Sequence, residues 1–182
     1  MRHAFFASLA AALALSLTAS AVSAGPGPGD RQSDGLPYQY IYLADFAKLR
    51  HEAEKGNPEA LFQLGVMHYD PPESSGVSQS YRRAFVLFYE AALRGHGTAQ
   101  HNVGAMYWNG DYVAQNPVEG YAWFKIAALT GDAAGIRKIK RHAGDLSQAQ
   151  LDAVAERLPV LQAILAKAKT KRSYDPRDYG IR

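Results

Sequence analysis

The chain has 182 residues, 20 lysines and arginines against 17 acids, a formal net charge of +3, and no cysteine. That length suits one domain with tails. So small a charge excludes a whole-protein electrostatic footprint for nucleic acid, and the missing thiols exclude disulfides, thiolate metal sites and a cysteine nucleophile. Alanine, leucine and tyrosine are abundant and no long β-branched alternation occurs, which predicts an all-α protein.

In chain order, the first segment reads MRHAFFASLAAALALSLTASAVSAGPG. A basic start, the short apolar run Phe5–Leu17 and the small residues Val22-Ser23-Ala24 match a secretory signal peptide over residues 1–24, cleaved after Ala24. The competing reading is a membrane-spanning or amphipathic helix, but the run is short for a span of about 20 residues. The expected product is exported, periplasmic or secreted, with no integral membrane segment in the mature chain. Residues 25–37, GPGPGDRQSDGLP, are too rich in glycine and proline for a helix and read as a flexible leader.

Residues 38–169 read as the repeat domain. GNPEALFQLGVMHYD (56–70) aligns with GHGTAQHNVGAMYWN (95–109), and SQSYRRAFVLFYEAALRG (78–95) aligns with AQNPVEGYAWFKIAALTG (114–131). The units run over about 56–94 and 95–130. A period in the range of roughly 20–50 residues marks stacked repeats. Each unit predicts helix, loop, helix. Asn57-Pro58 and Asn116-Pro117 are helix starts, and Gly95 and Gly131 fall where helices end. Gly65 and Gly104 sit mid-helix, where glycine costs about 0.5–1 kcal/mol relative to alanine. Close helix crossing is the expected reason, with Ala84, Ala91 and Ala127 as the small residues opposite.

The segments ALFQLGVMHY, AQHNVGAMYWNG, AFVLFYEAALRG and YAWFKIAALTG resemble the Sel1-like repeat family, a relative of tetratricopeptide repeats. The resemblance covers roughly Leu43 to Leu165. It implies an α-solenoid of antiparallel helix pairs that works as a protein-interaction module. His68 departs from the usual tyrosine, PPESSG lengthens the first loop, and a third unit carries Lys140 where the others have glycine, as a terminal cap would. Residues 43–56 read as the second helix of a preceding half-repeat. Residues 146–167 read as a closing helix capped by Ser147, which Pro159 should kink or divide. The tail, 170–182, is polar and basic and reads as disordered.

No catalytic constellation emerges: GxSxG, a Walker loop and HExxH are all missing, and neither cofactor nor metal is implied. His96 and His101, five apart, do not share a helical face. If the first helix of each unit lines the concave face, as in tetratricopeptide-like stacks, partner-binding candidates follow at helical spacing. They are Phe62 and Tyr69; His101, Trp108 and Asn109; and Arg137 and Arg141. Trp, Tyr and Arg are enriched at binding hot spots. The competing role for the aromatics is packing between repeats, and for the arginines a solvated face. The expected partner is a protein or peptide with an acidic end, no nucleic acid being implied. The alternative is a cell-wall (peptidoglycan or glycan) binding protein or enzyme. The basic tail with Tyr174 and Tyr179 is a further candidate attachment segment.

Overall fold

The computed structural model describes residues 38–73 and 75–168, with side chains from residue 45 onward. The expected signal peptide, leader and basic tail lie outside the described residues. Seven helices follow one another: α1 Tyr38–Glu54, α2 Pro58–Tyr69, α3 Tyr81–Leu93, α4 Gly97–Asn109, α5 Pro117–Leu129, α6 Ala133–His142 and α7 Gln148–Ala168. No strand occurs among the described residues. Helices α2 and α3 pack as one antiparallel pair and α4 and α5 as the next; α4 lies on α3, α6 and α7 lie on α5. The fold is all-α and repetitive, a solenoid of helix pairs.

The sequence repeats because one hydrogen-bonded joint repeats. Gly56, Gly95 and Gly131 hold φ of +82°, +90° and +86°, the left-handed region that closes a helix at low cost only with glycine. Their amides donate to Ala53, Ala92 and Ala128, and the next residue's amide reaches five back, to Glu52, Ala91 and Ala127. That next residue then caps the following helix. Asn57 Oδ1 accepts from the Glu59 amide at 3.0 Å, His96 Nδ1 from Ala99 at 3.1 Å and Asp132 Oδ1 from Gly135 at 2.7 Å. Within each pair the turn is pinned the same way twice. Gln79 Nε2 donates to the Tyr69 carbonyl and Gln115 Nε2 to the Trp108 carbonyl, both at 2.9 Å.

Trp123, Phe88, Phe124, Leu61, Met106 and Val103 are among the large fully buried side chains on which the pairs close. The mid-helix glycines serve close approach, though alanines are not their nearest neighbours. A Cβ on Gly65 would lie 2.6 Å from the Phe88 ring. On Gly104 it would lie 2.7 Å from Phe124 and 2.9 Å from the Gly120 carbonyl. The missing side chain is therefore a socket for a ring. Ala84, Ala91 and Ala127 are fully buried, but Ala127 meets Gly135 of α6, at 2.8 Å from a Cβ built there. The third unit thus keeps a close approach at Gly135, five residues before the exposed Lys140.

At the C-terminal end, Ser147 and Gln150 form a reciprocal cap: Ser147 Oγ accepts from the Gln150 amide and Gln150 Oε1 from the Ser147 amide. Helix α7 then continues through Pro159 as one element rather than two. Proline removes a donor to the carbonyl four residues earlier. That carbonyl belongs to Ala155, which is exposed, so water can take the donor's place.

Candidate functional site

The first helices of successive units meet along one line of side-chain rungs. Glu59, two residues past the α2 cap, pairs with His96, the α4 cap, Oε2 to Nε2 at 3.0 Å. Thr98, two residues past the α4 cap, donates to Asp132, the α6 cap, at 3.1 Å. Because His96 Nδ1 accepts a backbone amide, the ring hydrogen is assigned to Nε2 and donated to Glu59. Gln63 first, and His96 second, hold the Glu59 carboxyl below the usual range by hydrogen bonding.

Above these rungs stand the sequence-predicted residues. Phe62 stacks on the His96 ring with centroids 4.5 Å apart, and tilts against Phe88 at 5.8 Å. Tyr69 contacts Tyr81 and Phe88, and its hydroxyl donates to Asp111 Oδ2 at 3.4 Å. Asn109 Nδ2 donates to the same oxygen at 3.1 Å. Burial first, then the Asp111 charge, raises the Tyr69 phenol. Trp108 packs on His142 at 4.1 Å and on Phe124 at 6.2 Å. His142 Nδ1 lies 2.7 Å from Asp145 Oδ2.

His101 is 5.9 Å from the Phe124 ring. Both its nitrogens are shielded from water and have no hydrogen-bond partner among the described residues; the same holds for His142 Nε2. Burial lowers the His101 pKa, Asp132 opposes, and Lys138 and Arg137 add to the lowering. A neutral imidazole follows. Lys138 itself sits over Phe124 at 5.9 Å.

The predicted set therefore divides. Phe62, Tyr69, His101 and Trp108 are half-buried between adjacent units, each touching a neighbouring ring. Asn109, Arg137 and Arg141 are exposed, and neither arginine forms a hydrogen bond or ion pair among the described residues. Arg137 and Arg141 are four apart and share a face of α6. Sequence reasoning missed Asp111 and His142, because each gains its role from a unit other than its own. The signal available for His142 was the surplus of bases closing α6, Lys140-Arg141-His142, which also suits the negative end of a helix dipole.

Chemically, this side offers flat apolar surface, amide and hydroxyl groups, and cations at one end. Among the described residues no cluster of three or more His, Cys, Asp or Glu is placed to hold a metal, and no helix is long and apolar enough to cross a membrane.

The Sel1 repeat family matches at residues 58–96 and 97–132. Among solved structures the chain is similar to c5321, described as a protective antigen present in uropathogenic Escherichia coli strains and displaying an SLR fold. The TM-score is 0.62 at 21% identity, covering 77% of this chain and 31% of that one. The likeness carries the fold alone, and this chain spans under a third of that protein's length. No curated protein matches the sequence.

Proposed function

We propose that this protein, a chain carrying two Sel1 repeats, is a non-enzymatic adaptor of the bacterial cell envelope that holds an extended peptide with an acidic end. The repeat fold supports protein interaction as its general role. The observation that carries the finer reading is the end of the first-helix side. There Trp108, half-exposed on the His142 ring, is followed on α6 by the exposed Arg137 and Arg141. An aromatic anchor packed on the helix that carries two uncommitted guanidinium groups suits a carboxylate-ended segment, since guanidinium matches carboxylate in a bidentate geometry. Export rests on the N-terminal pattern of residues 1–24.

The test is fluorescence anisotropy of peptides ending in acidic residues against the same peptides ending in lysine. Acidic peptides are expected to bind more tightly, more weakly as salt rises, and about tenfold more weakly to Arg137→Glu/Arg141→Glu. Equal affinity for both peptide classes would remove the acidic-end assignment. Binding of cell-wall glycan by the same residues, the competing envelope role, predicts no peptide signal at all. N-terminal sequencing of protein recovered from the periplasmic fraction should begin at Gly25; retention of the intact leader in the cytoplasm contradicts export.

A further inference from the structure

A second surface lies between α3, α5 and α7, and neither the rungs nor the peptide reading uses it. Phe85 and Tyr89, one turn apart on α3, are nearly parallel, with centroids 5.9 Å apart and planes at 17°. Tyr107 meets Phe85 edge-on at 5.5 Å. Tyr112, from the α4–α5 connection, leans on Phe85 at 5.8 Å. Tyr89 stands against the buried Trp123 at 5.8 Å. Phe85, Tyr89 and Tyr107 are half-buried and Tyr112 is 52% exposed. The hydroxyls of Tyr89, Tyr107 and Tyr112 make no hydrogen bond among the described residues.

At the rim of these rings sits a closed ion pair. Arg157 Nε and Nη2 donate to the two oxygens of Glu119 at 2.6 and 3.0 Å, and Trp123 Nε1 donates to Glu119 at 3.0 Å. Burial first, and the nearby Glu119 charge second, raises the phenols of Tyr89 and Tyr107. They stay protonated, each able to donate and accept. The carboxylate and guanidinium cancel one another, so this pair offers an ionic ligand no net countercharge.

Tyr112 holds an unusual backbone conformation. Its φ is +70°, and no other non-glycine among the described residues has a positive φ. Side-chain-bearing residues rarely adopt that conformation, and such outliers cluster where a ligand is held. Here it turns a mostly exposed ring onto the edge of an aromatic platform. A purely structural turn would be served better by glycine.

We propose that this platform binds an uncharged saccharide. The ring faces of Tyr112, Phe85 and Tyr89 take the C–H face of a sugar, while the tyrosyl hydroxyls and the Arg157 Nη1 hydrogens bond its hydroxyl groups. A neutral polyol uses both halves of the surface, its apolar faces and its hydroxyl rim. A proline-rich peptide would use the faces and leave most of the rim unpaired.

Saturation-transfer NMR on the full chain tests this with three probes: chitotetraose, maltotetraose and a polyproline peptide. At least one sugar should receive saturation, strongest at its ring C–H protons. Its dissociation constant should rise about tenfold or more in Tyr112→Gly, whose thermal midpoint stays level or rises because glycine relaxes the backbone. Trp108→Ala should leave sugar binding unchanged, which separates this site from the peptide reading. If Tyr112→Gly fails to fold, Tyr112→Asn, tolerant of the same φ, carries the same test. The proposal is overturned if neither sugar binds, if polyproline binds instead, or if the Tyr112 variants bind sugar like wild type. It is equally overturned if Trp108→Ala alone abolishes the signal.

Discussion

His101 fills the place that Phe62 holds one repeat earlier, yet it brings two nitrogens into a setting that gives neither a partner. A shielded polar group left unpaired costs about 1–3 kcal/mol. His101→Phe restores the first repeat's choice and is expected to raise stability by about 1 kcal/mol, a shift of a few degrees in Tm. An unchanged or lower Tm would mean that the imidazole is satisfied by water. Acid should expose the same defect. Burial holds His68 and His101 below their ordinary 6.5 in the folded state. As pH falls through that value the unfolded chain takes up protons that the folded chain refuses, so stability is complete above it and declines below it. Urea unfolding between about pH 8 and about pH 5 should show that decline, smaller in His101→Phe; a flat profile contradicts it. At Gly104 the balance runs the other way. Alanine would gain up to about 1 kcal/mol in helix propensity, but its methyl would lie 2.9 Å from the Gly120 carbonyl, which is backbone and cannot swing aside. Gly104→Ala should lose about 1–3 kcal/mol net, more than Gly65→Ala, where only the Phe88 ring intrudes. The need for glycine was legible in the sequence. Its ring partners were not, because periodicity says which face is buried and not which side chain of the facing helix lies at the crossing.

Caps were legible where their chemistry is common and hidden where it is not. Asn57 and Asn116 announce themselves by the proline that follows, and both cap their helices. His96 caps equally well, but only as a neutral ring with Nδ1 free to accept, and a histidine in a Gly-His-Gly turn carries no such label. Its second nitrogen reaches Glu59 of the preceding unit, so one side chain both starts α4 and ties it to α2. His96→Ala removes cap and tie together and should cost about 1–2 kcal/mol. His96→Asn keeps the cap and should cost less than half of that. Chemical denaturation of the two variants checks the order, and equal losses would assign the whole effect to the tie. The binding candidates obey the same rule. Helical spacing put Phe62, His101 and Trp108 on one side of their helices, but Trp108 meets His142 and Tyr69 meets Asp111 across unit boundaries. Spacing within a unit cannot supply those pairings. The α3–α5 platform was hidden for a further reason: Tyr112 is placed by a backbone angle and not by any helical period.

A stack of repeats cannot bury its last face with its own kind, and α7 does that work here. It lies on α5 and reaches α3. Its Val154, Leu161 and Leu165, with Leu146 just before it, are buried, and Arg157 closes on Glu119 of α5. Full burial of an aliphatic side chain is worth about 1.5–3 kcal/mol, so four of them contribute about 6–12 kcal/mol, an upper range because the unfolded chain already hides some surface. Whole domains are stable by only about 5–15 kcal/mol. Ending the chain after Asp145 therefore removes a sum comparable to the entire stability, and it uncovers the second-helix side where Trp123 and Ile126 are now buried. The shortened chain is expected to lose its cooperative thermal transition by far-UV circular dichroism and to bind a hydrophobic dye, although both matched repeats remain intact in sequence. Arg157→Met should be milder, about 1–3 kcal/mol, because the exchange keeps the aliphatic contact but leaves the mostly buried Glu119 carboxylate with the Trp123 Nε1 donor alone. If the truncated chain instead melted at the wild-type temperature, the repeats would be self-sufficient, and α7 would have to be reassigned from closing the core to serving a partner.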